Sequence, residues 1–289
     1  MSIGSLLKFR LSVGEVRFWV ACLAVLGSMT PATVDADAGA DDFLVVDGGL
    51  LITGDPEGDP NEIERRVEVA PFRLMRHEVT NQAFAAFVAQ TGHVTDVERA
   101  GEGYVWTGRW RLIEGADWRR PSGPGSDIID RDNHPVVQVS RNDAEAFCAH
   151  YGWRLPSEEE WAFAARGEDR RRFPWGDTPP EQVEGVTPLA NFGTVPCCAP
   201  DATDGYETTA PVGGYPAGAG PFGHLDLAGN VWEWTSSRFP ERPEYAVIRG
   251  GGWGNNPYCL RTAYRHGNPD HFGLDMVGFR CSSNEALQP

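Results

Sequence analysis

Short apolar runs separated by glycine and proline, and few long periodic stretches, organise this chain of 289 residues. Residues 43–53 hold two apolar runs on either side of Gly48-Gly49, which predicts a strand pair bent at the glycines. Residues 67–75 alternate in the manner of a half-buried strand. After Thr80, the residues Phe84, Phe87 and Val88 fall at i, i+3 and i+4, one face of a short helix. Residues 92–136 keep no period and hold Trp106, Trp110 and Trp118 among glycines and prolines, which predicts an ordered insertion pinned by aromatics. Two helix starts follow. Ser140 with Asp143 has capping-box spacing, and Phe147, Cys148 and Tyr151 continue its apolar stripe. Ser157 with Glu160 is a stronger start, because Glu158 and Glu159 also place negative charge on the first turn. Trp161, Ala164 and Ala165 form the buried face of that helix. From Phe173 to Cys281 glycine, proline and short apolar runs return, and no solenoid repeat is present.

Composition agrees with loops over bundles: 34 glycines and 22 prolines require many turns. The formal charge of -16 argues against nucleic acid and anionic membrane surfaces as partners. Residues 1–38 read as an export signal. Lys8, Arg10 and Arg17 precede an apolar run over 18–27, and Ala36-Asp37-Ala38 forms a small-x-small cleavage site. The run is too short to span a bilayer comfortably, so a periplasmic or secreted protein without a membrane span is expected, and a monomer. Residues 39–289 are then read as one domain. In an oxidising compartment the cysteines that remain, Cys148, Cys197, Cys198, Cys259 and Cys281, can form disulfides. Five is odd, so at least one thiol stays free or pairs with another molecule.

An ordered set of motifs carries a resemblance. It runs from Arg65-Arg66-Val67 and Glu78-Val79-Thr80-Asn81 through Ala116-Asp117-Trp118-Arg119 and His134-Pro135-Val136. It continues with Arg154-Leu155-Pro156-Ser157 leading to Trp161, Pro174-Trp175-Gly176-Asp177, and Gly229-Asn230-Val231-Trp232-Glu233-Trp234. It closes with Arg249-Gly250-Gly251 and Gly278-Phe279-Arg280-Cys281. In order and spacing this set resembles the formylglycine-generating enzyme (sulfatase-modifying factor) family over about 43–283. The resemblance implies an α+β, C-type-lectin-like fold with little regular secondary structure and long ordered loops. It implies an oxidase that converts a cysteine of a sulfatase client to formylglycine with oxygen and copper held by two thiolates, the soft ligands that Cu(I) prefers.

Residue by residue the match departs most in the loop after Arg249-Gly250-Gly251, which is one residue shorter than the family's. Cys259 fits the second active-site cysteine, but the first falls at Asn255, and Gly252 stands where a serine is usual. Trp253 lies in the same glycine loop and is a candidate for lining a substrate cleft. Arg249, Arg261 and Arg265 could hold a client peptide along that cleft, or pair with buried carboxylates. The resemblance also implies a disulfide between Cys148 and Cys281, and two calcium sites. The first takes Asn191 and Asp204 with backbone oxygens of Phe192 and Tyr206, and the second Asp226 and Glu233 with those of Gly229 and Val231. Three functions stay open: the family oxidation of a peptide or sulfatase client, a periplasmic modification of a peptide-like metabolite of the siderophore-maturation type, and a calcium-stabilised binding module without chemistry.

Overall fold

The computed structural model describes residues 42–181, 187–194 and 198–284; the expected export signal lies outside them. Strands β1 (Phe43–Val46), β2 (Gly49–Ile52), β3 (Arg66–Val69) and β4 (Phe72–Met75) open the fold. The two apolar runs of 43–53 do not pair with each other. β1 pairs with β4 and β2 with β3, both antiparallel, so one long ladder is bent into two. Pro71 lacks the N–H that would carry the ladder on, and Gly48 crosses opposite it at φ 76°. A Cβ on Gly48 would lie 2.2 Å from the Val69 carbonyl oxygen, so the crossing needs glycine.

The helices follow their caps. Thr80 caps α1 (Asn81–Thr91), and Gly92 ends it in the left-handed region at φ 68°. Ser140 and Ser157 cap α3 (Arg141–His150) and α4 (Glu158–Arg166), each within a complete capping box. Between α1 and α3 the aperiodic insertion contains regular structure. Helix α2 (Asp96–Ala100) starts on the capping box Thr95 with Glu98, and a hairpin of β5 (Glu102–Trp106) and β6 (Trp110–Glu114) follows. Trp118 is buried at 2% exposure and pins the insertion, whereas Trp110 is exposed.

The longest strands lie where the sequence shows only short runs. β7 (Trp232–Phe239) and β8 (Arg242–Arg249) form a hairpin. β9 (His266–Pro269) extends it on one side, and β10 (Val277–Gly278) joins parallel on the other. β11 (Ser282–Ser283) adds to β4 and completes a three-stranded sheet. The main core packs Phe84, Phe87, Phe147, Trp118 and Phe279 around the Cys148–Cys281 disulfide, whose Cα atoms are 5.7 Å apart. That bond ties α3 to the residue just before β11, over a separation of 133 residues. Among the described residues no helix is long and apolar enough to cross a membrane.

Candidate functional site

The loop after β8 carries Gly252, Trp253, Asn255 and Cys259, and its shape follows from close packing. A Cβ on Gly252 would lie 2.3 Å from Met276 Cγ, and one on Gly254 would lie 2.7 Å from Met276 Cε. Met276 therefore fills the space a serine side chain at 252 would need. Trp253 is 3% exposed, with its indole N–H on the Asp275 carbonyl at 3.1 Å. One face of it lines a cleft of about 350 Å³ shared with Asn81, Ser126, Arg131, Thr209 and Asp275. Asp275 is the buried carboxyl of that cleft. Oδ2 accepts from the Trp106 N–H at 2.9 Å, Oδ1 has no partner, and burial pushes its pKa up to about 7.

Asn255 is a structural amide as well as a substituted position. Its Oδ1 accepts from Trp232 Nε1 at 2.7 Å and from the Gly252 N–H at 2.9 Å. Both lone pairs are thereby engaged, which leaves that oxygen no place in a metal shell. Its Nδ2 donates to Cys198 Sγ at 3.5 Å. Cys198 comes from a separate segment that packs on this loop through the Gly193 N–H to Asn255 C=O bond at 2.8 Å. Its backbone takes the left-handed φ of 67°, which a side chain adopts at a cost. Cys259 is buried nearby in sequence, at 6% exposure. The neighbour Cys197 lies outside the described residues, and with it the question of its pairing.

Of the two roles open to Arg249, Arg261 and Arg265, the structure shows pairing with carboxylates. Arg249 and Arg265 converge on Glu158, at 3.2 and 2.5 Å. Arg261 bridges Glu62 at 2.7 Å and Asp55 at 3.1 Å. None of the three lines the cleft beside Trp253. Guanidinium groups this far from water need carboxylates, so the fold uses their charge internally.

Both stretches expected to bind calcium are brought together. Asp204 accepts from the Phe192 N–H at 2.8 Å and the Tyr206 N–H at 3.1 Å, which fixes its carboxylate against both residues. Asn191 is 1% exposed; its Nδ2 donates to the Thr208 carbonyl at 2.7 Å, while its Oδ1 has no hydrogen-bond partner. Asn191 Oδ1 is thus a buried oxygen left open, next in sequence to the residue that holds Asp204. At the second position Glu233 is taken by other groups. Both its oxygens accept from Arg280 at 2.7 Å, and Trp161 Nε1 adds a third bond at 2.9 Å. Two residues that the sequence gives only as parts of motifs, with no site role, complete this cluster, Arg280 and Glu78. Glu78 is 1% exposed and lies against Asp226; burial, then the charge of Asp226, holds its pKa well above the usual range. Nearby His224 is pushed down to about 3 by burial and then by Arg280, so its ring is neutral. Glu78 and Arg280 both lie in motifs that carry the resemblance, Glu78-Val79-Thr80-Asn81 and Gly278-Phe279-Arg280-Cys281, but only burial in the fold shows that they meet.

The comparisons with known proteins agree on one family. The description "Sulfatase-modifying factor enzyme 1-like domain" matches residues 30–285. The formylglycine-generating enzyme of Thermomonospora curvata is 35% identical, over 84% of this chain and 93% of the relative. A protein of Bos taurus described as an inactive C-alpha-formylglycine-generating enzyme 2 is 36% identical, over 82% of this chain and 85% of its own. Among solved structures, PvdO from Pseudomonas aeruginosa superposes with a TM-score of 0.64 at 25% identity, covering 83% of this chain and 93% of that one. The fold is thus the α+β, C-type-lectin-like arrangement of the formylglycine-generating type. With that span and these identities, the chain belongs to the sulfatase-modifying factor family.

Proposed function

We propose that this chain is an exported peptide-modifying oxidase of the formylglycine-generating type, in which Cys198 replaces the sulfur missing at position 255. The observation that carries this reading is the Asn255 Nδ2 to Cys198 Sγ contact of 3.5 Å. A sulfur from another segment stands against the amide that occupies the first cysteine's place, in the loop that also carries Cys259. Cys259 and Cys198 would hold Cu(I), which supplies activation of dioxygen in this family. Trp253 forms a wall of the cleft that receives an extended peptide of a sulfatase-type client, and Asn81 and Asp275 offer it acceptors. The Asn255 side-chain amide donates from Nδ2 to the sulfur and favours negative charge on it. Calcium at Asn191 and Asp204 would hold the segment that leads to Cys198, and the second position around Asp226 takes a cation if Glu78 shares it.

Mass spectrometry of a cysteine-containing sulfatase-type peptide, incubated with copper-loaded protein and oxygen, tests the reading. Conversion of the peptide thiol to an aldehyde is expected, lost in both Cys259→Ala and Cys198→Ala. Conversion that survives Cys198→Ala removes the role given to that sulfur. A second reading, a binding module without chemistry, is favoured by the amide at 255 and by the inactive relative from Bos taurus. It gains if copper-loaded wild type converts nothing while retaining the peptide. The siderophore-maturation reading gains if the peptide is neither converted nor retained but a peptide-like metabolite is oxidised.

A further inference from the structure

Four described arginines are less than 5% exposed: Arg166 (4%), Arg249 (2%), Arg261 (2%) and Arg280 (0%). Three of them rest on carboxylates, Arg249 on Glu158 at 3.2 Å, Arg261 on Glu62 at 2.7 Å and Arg280 on Glu233 at 2.7 Å. Arg166 is the exception. Its NH1 donates to the Gly54 carbonyl at 3.0 Å and its NH2 to the Arg170 carbonyl at 3.4 Å, while Nε has no acceptor. No carboxylate among the described residues forms an ion pair with it. Burial, and then the charge of Arg170, hold its pKa below the usual guanidinium value, opposed at a distance by Asp55, Glu62 and Glu64, none of which bonds to it. A charge withdrawn from water without a counter-charge is strongly unfavourable, which is why the other three are paired.

A directly bonded counter-ion has a place to sit. Arg166 borders a cavity of about 140 Å³ whose other polar walls are Arg170, Arg172, Arg261, Thr262 and Asp55. Asp55 is committed: Oδ2 accepts from Arg261 NH1 at 3.1 Å and Oδ1 from the Glu57 N–H at 3.0 Å. Arg170 is held at the rim by Glu64 at 2.6 Å. The exposed Arg172 has no side-chain partner among the described residues, so it and Arg166 leave positive charge facing one space. At about 30 Å³ per water, the cavity has room for a tetrahedral anion with its accompanying water. In a protein of net charge -16, this concentration of guanidinium groups is local, and its walls belong to α4, the segment after it, and the residues following Cys259.

We propose that the cavity bounded by Arg166, Arg172 and Thr262 binds a small tetrahedral oxoanion, a sulfate or phosphate group. Planar guanidinium forks match the oxygens of such anions in pairs, which a chloride ion cannot exploit. The site is independent of the thiol chemistry, and its test does not use activity.

Isothermal titration calorimetry of the full chain with sodium sulfate and with sodium phosphate, against sodium chloride at matched ionic strength, tests it. Saturable binding of one equivalent is expected for an oxoanion and none for chloride; the tighter of the two names the ligand. Arg172→Met, an exposed and therefore tolerated change, raises Kd at least tenfold, and Arg166→Met abolishes binding. Arg111→Met, on an exposed strand, leaves it unchanged. Heats that do not saturate, or equal affinity in wild type and Arg172→Met, mean an adventitious ion only and overturn the proposal.

Discussion

Replacing Asn255 with cysteine returns a sulfur to the place where the family resemblance implies one, and at the same time removes the acceptor of two buried N–H groups. Trp232 Nε1 and the Gly252 backbone N–H both end on Asn255 Oδ1, at 2.7 and 2.9 Å, and all three residues are buried. A buried donor left without an acceptor costs about 1–3 kcal/mol, so Asn255→Cys should lose about 2–6 kcal/mol of stability despite its smaller, more apolar side chain. Equilibrium urea unfolding followed by tryptophan fluorescence measures this as a fall in the midpoint at unchanged m. A double-mutant cycle with Trp232→Phe isolates the indole bond, because both single changes also alter packing. A coupling of about 1 kcal/mol is expected between residues that share a hydrogen bond. A loss under about 1 kcal/mol in Asn255→Cys, with no coupling, would refute the argument that 255 is a structural amide. It would leave the position simply vacated. The same variant then enters the peptide assay, where restored or increased conversion measures what a sulfur at 255 adds.

Three further outcomes follow from the same structure. Asp275 titrates near 7 in the fold against roughly 4 in the unfolded chain, so folding is penalised by its ionisation: stability falls as pH rises from about 4 to 7 and is flat above, by about 4 kcal/mol in all. Asp275→Asn should remove that slope in urea midpoints taken across the window; an unchanged slope assigns it to other groups. Cys148→Ala with Cys281→Ala opens a separation of 133 residues, worth about 5 kcal/mol in the chain-entropy account, and a loss below about 2 kcal/mol by urea unfolding would contradict that estimate. Adding calcium to chelator-treated protein should raise Tm by several degrees, and Asn191→Ala should abolish most of the response; equal shifts in both would move the cation away from Asn191.

Much of the local structure is legible in the chain because its causes are local. The boxes at Ser140 with Asp143 and Ser157 with Glu160 close within three residues, and the helices start there. The box at Thr95 with Glu98 obeys the same rule, yet the five-residue helix it starts has too few turns to show a period. Along β7, Trp232 and Trp234 flank Glu233 with the alternation of a strand. Yet Trp232, Glu233, Trp234 and Thr235 are all buried, because sheet and helices cover both faces, so the pattern does not show how far the hairpin runs.

The sequence alone determined the family, the caps, the candidate calcium stretches and the substitution at position 255. Those are properties of residue identity and short spacing, and they survive without coordinates. The tertiary structure decided which charges meet. Arg261 finds Glu62 across 199 residues and Arg280 finds Glu233 across 47, distances at which no pattern in the chain constrains a pair. It also decided that Asn255 faces Cys198 across 57 residues, and that Arg166, alone among the described arginines less than 5% exposed, forms no ion pair with a described carboxylate. Burial sets the cost of each of these groups, and burial is a property of the packed chain as a whole.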